Sequence, residues 1–329
     1  MPDRPPSAEP EPPSFGAGSA TEDSVIQAIL RDRHRGGPTP SLDVGDDVAV
    51  LPSGEAVGAD MLIEGVHWDA RSSAEDVGYK AVMVNASDLG ATGATPRWLT
   101  LSLALPDPPP MGWVTGFARG LHAACAALDL RLIGGDTTRS PGPIVVSISM
   151  GGPLAHGRAV RRSGGAAGDQ LYVTGGLGQA AAGFFGADPS AEALRRPRPP
   201  IALGLALAAA PAVHAMMDVS DGLSRDLSRL CAASGLGAEV WPEALPLGRS
   251  VPAGPDGLAW ATAWGDDYAL LVAISPEWGA EAQALAAALG APLSHIGQLH
   301  AGSGLRFRGT DVPQPIFDHF SAPPASPPC

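Results

Sequence analysis

The sequence predicts an α/β (α+β) fold built as two domains, and three observations carry that prediction. The chain has 329 residues, more than a single hydrophobic core usually serves. Short β-type apolar runs alternate with longer stretches of helical periodicity along most of its length. A segment rich in Gly, Pro and Arg at 151–168 separates one strand-and-helix series from the next.

Taken in order, residues 1–20 are rich in Pro, Glu and Ser and predict a disordered tail. A helix is expected at 24–34, a strand at 48–51 behind Gly45-Asp46-Asp47, and a second strand at 56–60 that ends on Asp60. A helix at 74–89, a strand at 98–105, a helix at 112–128 and a strand at 144–150 complete the first domain, 21–153. The second, 154–320, has strands at 170–174 and 269–274 and helices at 222–233 and 277–289. Residues 321–329 form a second Pro-rich tail. The heptapeptide that begins Gly45-Asp46-Asp47 returns in similar form at Gly265-Asp266-Asp267, and the run from Asn85 to Gly90 resembles that from Asp218 to Leu223, but the two echoes do not share an offset and show no simple tandem duplication.

Composition narrows the function. The net charge of −13 and a single lysine, Lys80, argue against nucleic acid, whose binding needs clustered cations. An acidic chain still binds an anionic nucleotide if divalent metals stand between carboxylates and phosphates. The three cysteines, Cys125, Cys231 and Cys329, are too far apart for a metal or redox pair and fit a reducing cytoplasm. The Ala/Leu-rich run at 201–210 is too short to span a bilayer, so no membrane role is expected.

Mg²⁺ takes oxygen ligands and keeps several waters, so its sites combine one or two carboxylates with substrate phosphates. Several such ions need dispersed aspartates. Asp46 and Asp47 precede a strand, Asp60 ends one, and Asp136 falls in Gly134-Gly135-Asp136-Thr137-Thr138. Asp88 lies inside an apolar helical stretch, one turn after Asn85 and on its face, where an unpaired carboxylate is costly. Asp218 and Asp221 flank Ser220 before a helix, where exposed N–H groups favour anions. Each has a plainer reading: a Gly-Asp pair is usually a turn, and Ser220 or Asp221 suits a helix cap. Gly176-Leu177-Gly178-Gln179-Ala180-Ala181 satisfies a loose dinucleotide pattern but lacks the acidic residue closing a second strand, and reads as a tight strand-to-helix turn. Lys80 lacks the Gly-Lys-Ser/Thr setting of a phosphate loop.

The order of these motifs resembles the thiamine-monophosphate kinase family, of the superfamily that includes aminoimidazole ribonucleotide synthetase and selenophosphate synthetase. The resemblance spans about 24–320. It rests on Gly45-Asp46-Asp47, the run from Asp60 to Trp68, the run from Lys80 to Leu89, Gly134-Gly135-Asp136-Thr137-Thr138, Arg162-Ser163-Gly164, the run from Asp218 to Leu223, and Gly265-Asp266-Asp267-Tyr268. It implies an N-terminal ferredoxin-like or mixed-sheet domain, a C-terminal α/β domain, and a homodimer paired through the N-terminal sheets. The implied reaction is transfer of the γ-phosphoryl of ATP to thiamine monophosphate with several Mg²⁺ ions. By the same resemblance Asp47, Asp60, Asp88, Asp136, Asp218 and Asp221 hold metal, with Asp88, Asp218 and Asp221 central to catalysis. Gly135, Asp136, Arg162 and Ser220 meet ATP, and His67, Asp266 and Phe317 meet the thiamine phosphate.

Two departures stand out: Gly58-Ala59 occupies the place of the family's Ser-Thr, and Asp266 stands where the family has glutamate. Competing readings are a hydrogenase-maturation dehydratase, suggested by the terminal Cys329, another ATP-using member of the superfamily such as aminoimidazole ribonucleotide synthetase, and a non-catalytic metal-nucleotide module.

Overall fold

A computed structural model describes residues 21–31, 33, 36–37 and 39–313. Phe317, Cys329 and both tails expected from composition lie outside the described residues.

The first sheet contains β1 (Ala49–Val50), β2 (Glu55–Ile63), β3 (Trp98–Leu105), β4 (Arg131–Arg139) and β5 (Val145–Pro153), in the order β1-β2-β5-β3-β4. Only the β3–β4 pair is parallel, so the sheet is mixed. After a first helix, α1 (Glu22–Arg31), two long helices follow: α2 (Ala74–Thr92) and α3 (Met111–Leu128). The second sheet contains β6 (Gln170–Thr174), β7 (Val213–Val219), β8 (Gly237–Val240), β9 (Ala269–Ile274), β10 (Leu293–His300) and β11 (Gly304–Phe307), in the order β11-β8-β10-β6-β9-β7. Its helices are α4 (Gln179–Phe184), α5 (Glu192–Arg195), α6 (Ile201–Ala208), α7 (Leu223–Ser234), α8 (Pro255–Ala263) and α9 (Gly279–Ala288). Among the described residues no helix is long and apolar enough to cross a membrane.

α2 is the element that joins the halves. Ser73 and Asp76 close a capping box at its start, satisfying two orphan N–H groups, and Gly93 ends it in the left-handed conformation at φ 83°. Between these caps nearly every residue from Val77 onward is buried, because the helix lies against the first sheet, α3, α6 and β7 together. A helix buried on all sides shows little amphipathic period, so its polar residues stand out.

The close packing of α2 on α3 depends on two glycines. A Cβ on Gly120 would stand 1.8 Å from the Glu75 carbonyl oxygen, and one on Gly78 would stand 2.1 Å from that of Phe117. Gly120→Ala must push two backbones apart and should destabilise the protein by about 1–3 kcal/mol, the usual cost of overpacking. A denaturant midpoint at or above that of the wild type would contradict this.

Several strands were not legible from periodicity. β4 hides behind Gly134-Gly135, where the chain has no side chains to alternate, and Asp136 therefore sits in an edge strand and not in a turn. β7 is interrupted by His214 and ends in Asp218-Val219, so Asp218 is a strand residue. β2 continues past Asp60 through Met61, Leu62 and Ile63, placing that aspartate within the strand and not at its end.

Candidate active site

The acidic residues converge where α2 crosses the end of β7. Carboxylate oxygens of Asp47, Asp88 and Asp218 all lie within 4.8 Å of one another, although the three residues are far apart in sequence and come from both halves of the molecule. Asp47 stands just before β1, Asp88 near the C-terminal end of α2, and Asp218 near the end of β7.

Each is held by specific neighbours. The Arg162 Nε–H donates to Asp47 Oδ1 at 2.9 Å, and its Nη2 makes a second bond to the same oxygen. Asp47 Oδ2 is buried and has no hydrogen-bond partner, and the Asp47 side chain is fully shielded. The Ser87 hydroxyl donates to Asp218 Oδ2 at 2.6 Å. Asn85 does not pair with Asp88: its amide bridges the Ala81 carbonyl and the Asp60 N–H, at 2.9 and 3.0 Å, and so ties β2 to α2.

Burial dominates the electrostatics. Desolvation raises the Asp47 carboxyl to about 8, with Asp218 and Asp46 adding repulsion against the lowering effect of Arg162. Desolvation likewise raises Asp60 and Asp218 to about 6 each. Asp88 is pushed well above the carboxylate range, first by burial and then by Asp60 and Asp218. Carboxylates gathered this closely in a shielded place repel one another unless a cation joins them. The unpartnered Asp47 Oδ2 beside two further carboxylates fits a hard divalent cation with oxygen ligands.

Asp221 lies close by in the bend before α7, but it does not cap that helix. The cap is Gly222, without a side-chain bond. The Asp221 carboxylate instead accepts from Arg229 at 2.5 Å, while its N–H donates to Asp226 Oδ2 at 3.0 Å. Asp226 was missed by sequence reasoning. It is fully buried, and the available signal was its position three residues after the apolar Leu223, on the same buried helix face.

The three arginines of the 158–162 segment separate in space. Arg158 binds the carbonyls of Ala208, Ala210 and Val213, and Arg161 reaches Ser41, so only Arg162 serves the acidic cluster. Gly135 and Asp136 stand apart from it. Asp60, Ile148, Leu101 and Gly135 form one register row across β2, β5, β3 and β4, which puts Gly135 three strand spacings, about 14 Å, from Asp60. A Cβ on Gly135 would stand 1.8 Å from the Leu101 carbonyl oxygen, so only glycine fits that approach.

His67 and Asp266 form a second group. His67 Nδ1 accepts from the Ile63 N–H at 2.9 Å in the turn after β2. Lys80, buried in α2, donates to Asp266 Oδ2 at 2.9 Å and to the His67 carbonyl at 3.3 Å. Ser220 accepts the Asp266 N–H on its backbone carbonyl at 2.8 Å. The glycine turn at 176–178 does open a helix, but Asp267 fills the helix start, accepting from the N–H groups of Gly178 and Ala180 at 2.6 and 3.2 Å. A carboxylate of this chain thus occupies the place where a dinucleotide phosphate would lie. Two clefts, of about 180 and 360 Å³, open on the second domain around Asp267 and Arg198, and neither is lined by Asp47, Asp88 or Asp218.

Two family models match: AIR synthase related protein, N-terminal domain, over residues 45–154, and AIR synthase related protein, C-terminal domain, over residues 166–309. The chain is 38% identical over 307 residues to thiamine-monophosphate kinase of Salmonella typhimurium, covering 85% of this chain and 92% of that protein. The chain belongs to the thiamine-monophosphate kinase family. Solved members share its fold: thiamine-monophosphate kinase from Stenotrophomonas maltophilia superposes with a TM-score of 0.73 at 35% identity, covering 88% of this chain and 95% of that one. A structure of AaThiL complexed with AMPPCP and TMP superposes with a TM-score of 0.77 at 27% identity, covering 91% and 97%. The two sheets and their helices are therefore those of the thiamine-monophosphate kinase family, and Asp47, Asp88 and Asp218 meet here across the two halves.

Proposed function

We propose that this chain transfers the γ-phosphoryl group of ATP to the phosphate of thiamine monophosphate, giving thiamine diphosphate and ADP. The observation that carries the reading is the meeting of Asp47, Asp88 and Asp218 within 4.8 Å, with one buried oxygen left open. The solved relative holding an ATP analogue and TMP supports the pair of substrates.

Asp47, Asp60, Asp88, Asp218 and Asp221 are the residues suited to hold Mg²⁺ ions, with Asp136 added from the nucleotide side. When bound, such ions supply neutralisation of the charge that two phosphate groups bring together. The chain itself does the positioning. Arg162 takes one oxygen of Asp47 and so aims the other at the cluster, and Ser87 does the same for Asp218. Asp226 and Arg229 fix Asp221. No general base is needed, since the acceptor is already a phosphate oxygen, and in-line placement supplies most of what the protein must contribute.

Gly135, Asp136, Arg162 and Ser220 are assigned to the nucleotide. His67 and Asp266 are assigned to the acceptor, with Phe317 from the C-terminal segment. All nine residues of edge strand β4 are exposed, Leu132 and Ile133 among them, which supports pairing of two copies through this sheet. Cys125 and Cys231, both buried free thiols, fit a cytoplasmic protein.

Purified protein incubated with ATP, Mg²⁺ and thiamine monophosphate should form thiamine diphosphate, measured by chromatography of its fluorescent oxidation product. ATP binding with no diphosphate formed would sink the kinase reading and favour a non-catalytic module.

A further inference from the structure

Lys80 is the one lysine of the sequence, and the fold spends it in an unusual place. Its side chain is only 4% exposed. A buried ammonium is costly unless it is paired and hydrogen-bonded, and Lys80 is both. Its two acceptors belong to different halves of the molecule: the His67 carbonyl after β2 and the Asp266 carboxylate before β9.

The segment it reaches is strained. Asp266 and Tyr268 hold φ at 69° and 47°, in the left-handed region that non-glycine residues avoid. Such backbone persists only where its surroundings over-determine it. Here the Asp266 and Tyr268 N–H groups donate to the Ser220 and Val219 carbonyls, both at 2.8 Å, and the Tyr268 ring is buried in the core of the first domain. The two Asp266 oxygens are also divided: Oδ2 takes the Lys80 ammonium and Oδ1 the Tyr268 hydroxyl at 3.1 Å. The carboxylate remains 28% exposed, so it is fixed from within and presented outward.

We infer that Lys80 is the positioning residue of the acceptor site. Resting on the kinase reading above, its ammonium sets the separation between the His67 turn and the Asp266 carboxylate, and thereby the pocket for the phosphate ester and its cationic heterocycle. Both hydrogen bonds of Lys80 go to residues assigned to the acceptor, so its effect falls on that substrate before the nucleotide.

The test compares Lys80→Met and Lys80→Arg with the wild type in steady-state kinetics, varying thiamine monophosphate and ATP separately. Lys80→Met should raise the KM for thiamine monophosphate about 10- to 100-fold, the range for loss of a group that orients a direct contact, with the KM for ATP within about two-fold. Equal rises in both, or a fall in kcat alone, would show a merely structural role and overturn the inference. Should Lys80→Met not fold, Lys80→Arg keeps the charge but not the geometry and must show the same split. A second readout is independent of turnover. Biosynthetic labelling with [13C]lysine gives one ε-methylene signal, which thiamine monophosphate alone should shift and AMPPCP alone should leave in place; the reverse pattern also overturns the inference. A wild type that makes no thiamine diphosphate refutes the kinase reading instead, a result distinct from either.

Discussion

Asp218→Asn should lower kcat by at least about 10³-fold while the protein stays folded. Groups that stabilise charge in phosphoryl transfer are worth roughly 10³–10⁵ in rate, and Asp218 contributes one of the three convergent carboxylates. The isosteric amide keeps the volume and can still meet the Ser87 hydroxyl, so the loss falls on charge and not on packing. Relief of repulsion from Asp60 and Asp221 should leave the thermal midpoint of the metal-free variant unchanged or raised. Asp88→Asn should behave alike, since its carboxyl is strained in the same way by burial and by Asp60 and Asp218. Wild-type turnover in either variant, measured as thiamine diphosphate formed per enzyme, would remove that residue from the mechanism.

The second large effect is on stability. Burial and mutual repulsion raise Asp47 from 3.8 to about 8, and Asp60 and Asp218 from 3.8 to about 6. A folded-state pKa above the unfolded one means that the folded protein holds more protons across that interval, so stability falls as pH rises through it. For metal-free protein the contribution of these groups is therefore intact below about pH 4 and lost progressively up to about pH 8. Mg²⁺ binds the deprotonated carboxylates, so it should stabilise most where the apoprotein is weakest. At a concentration of about 100 times its Kd, a ligand adds roughly 2.7 kcal/mol, or about 4 °C in midpoint for a chain of 329 residues. Differential scanning calorimetry of chelator-treated protein should show that rise at pH 8 and little of it at pH 5. An equal rise at both values would mean that these carboxylates are not where Mg²⁺ acts.

Much of the site was legible residue by residue. Asp88 was conspicuous as a carboxylate inside an apolar helix, and Asp47 and Asp218 as members of compact Gly/Ser-Asp motifs. Asp226 was not, because a single aspartate in the first turn of a helix is common for dipole reasons alone, and only its burial distinguishes it. β4 was lost for a related reason: a strand that carries two glycines and pairs on one edge only has no hydrophobic alternation to display. The sequence marks 176–178 as a tight strand-to-helix turn, and the residue that fills it, Asp267, comes from a segment about ninety residues away.

By itself the sequence determined the fold class, the main helices, the family and which acidic residues to consider for a site, since periodicity, glycine placement and motif order are local properties that a chain carries with it unfolded. Only the tertiary structure decided which carboxylates touch, that Arg162 and not Arg158 or Arg161 serves them, and that Lys80 reaches Asp266 across the two halves. Those pairings depend on where α2 lies between two sheets, and no residue types along a strand or helix encode a distance to an element that folds independently of it.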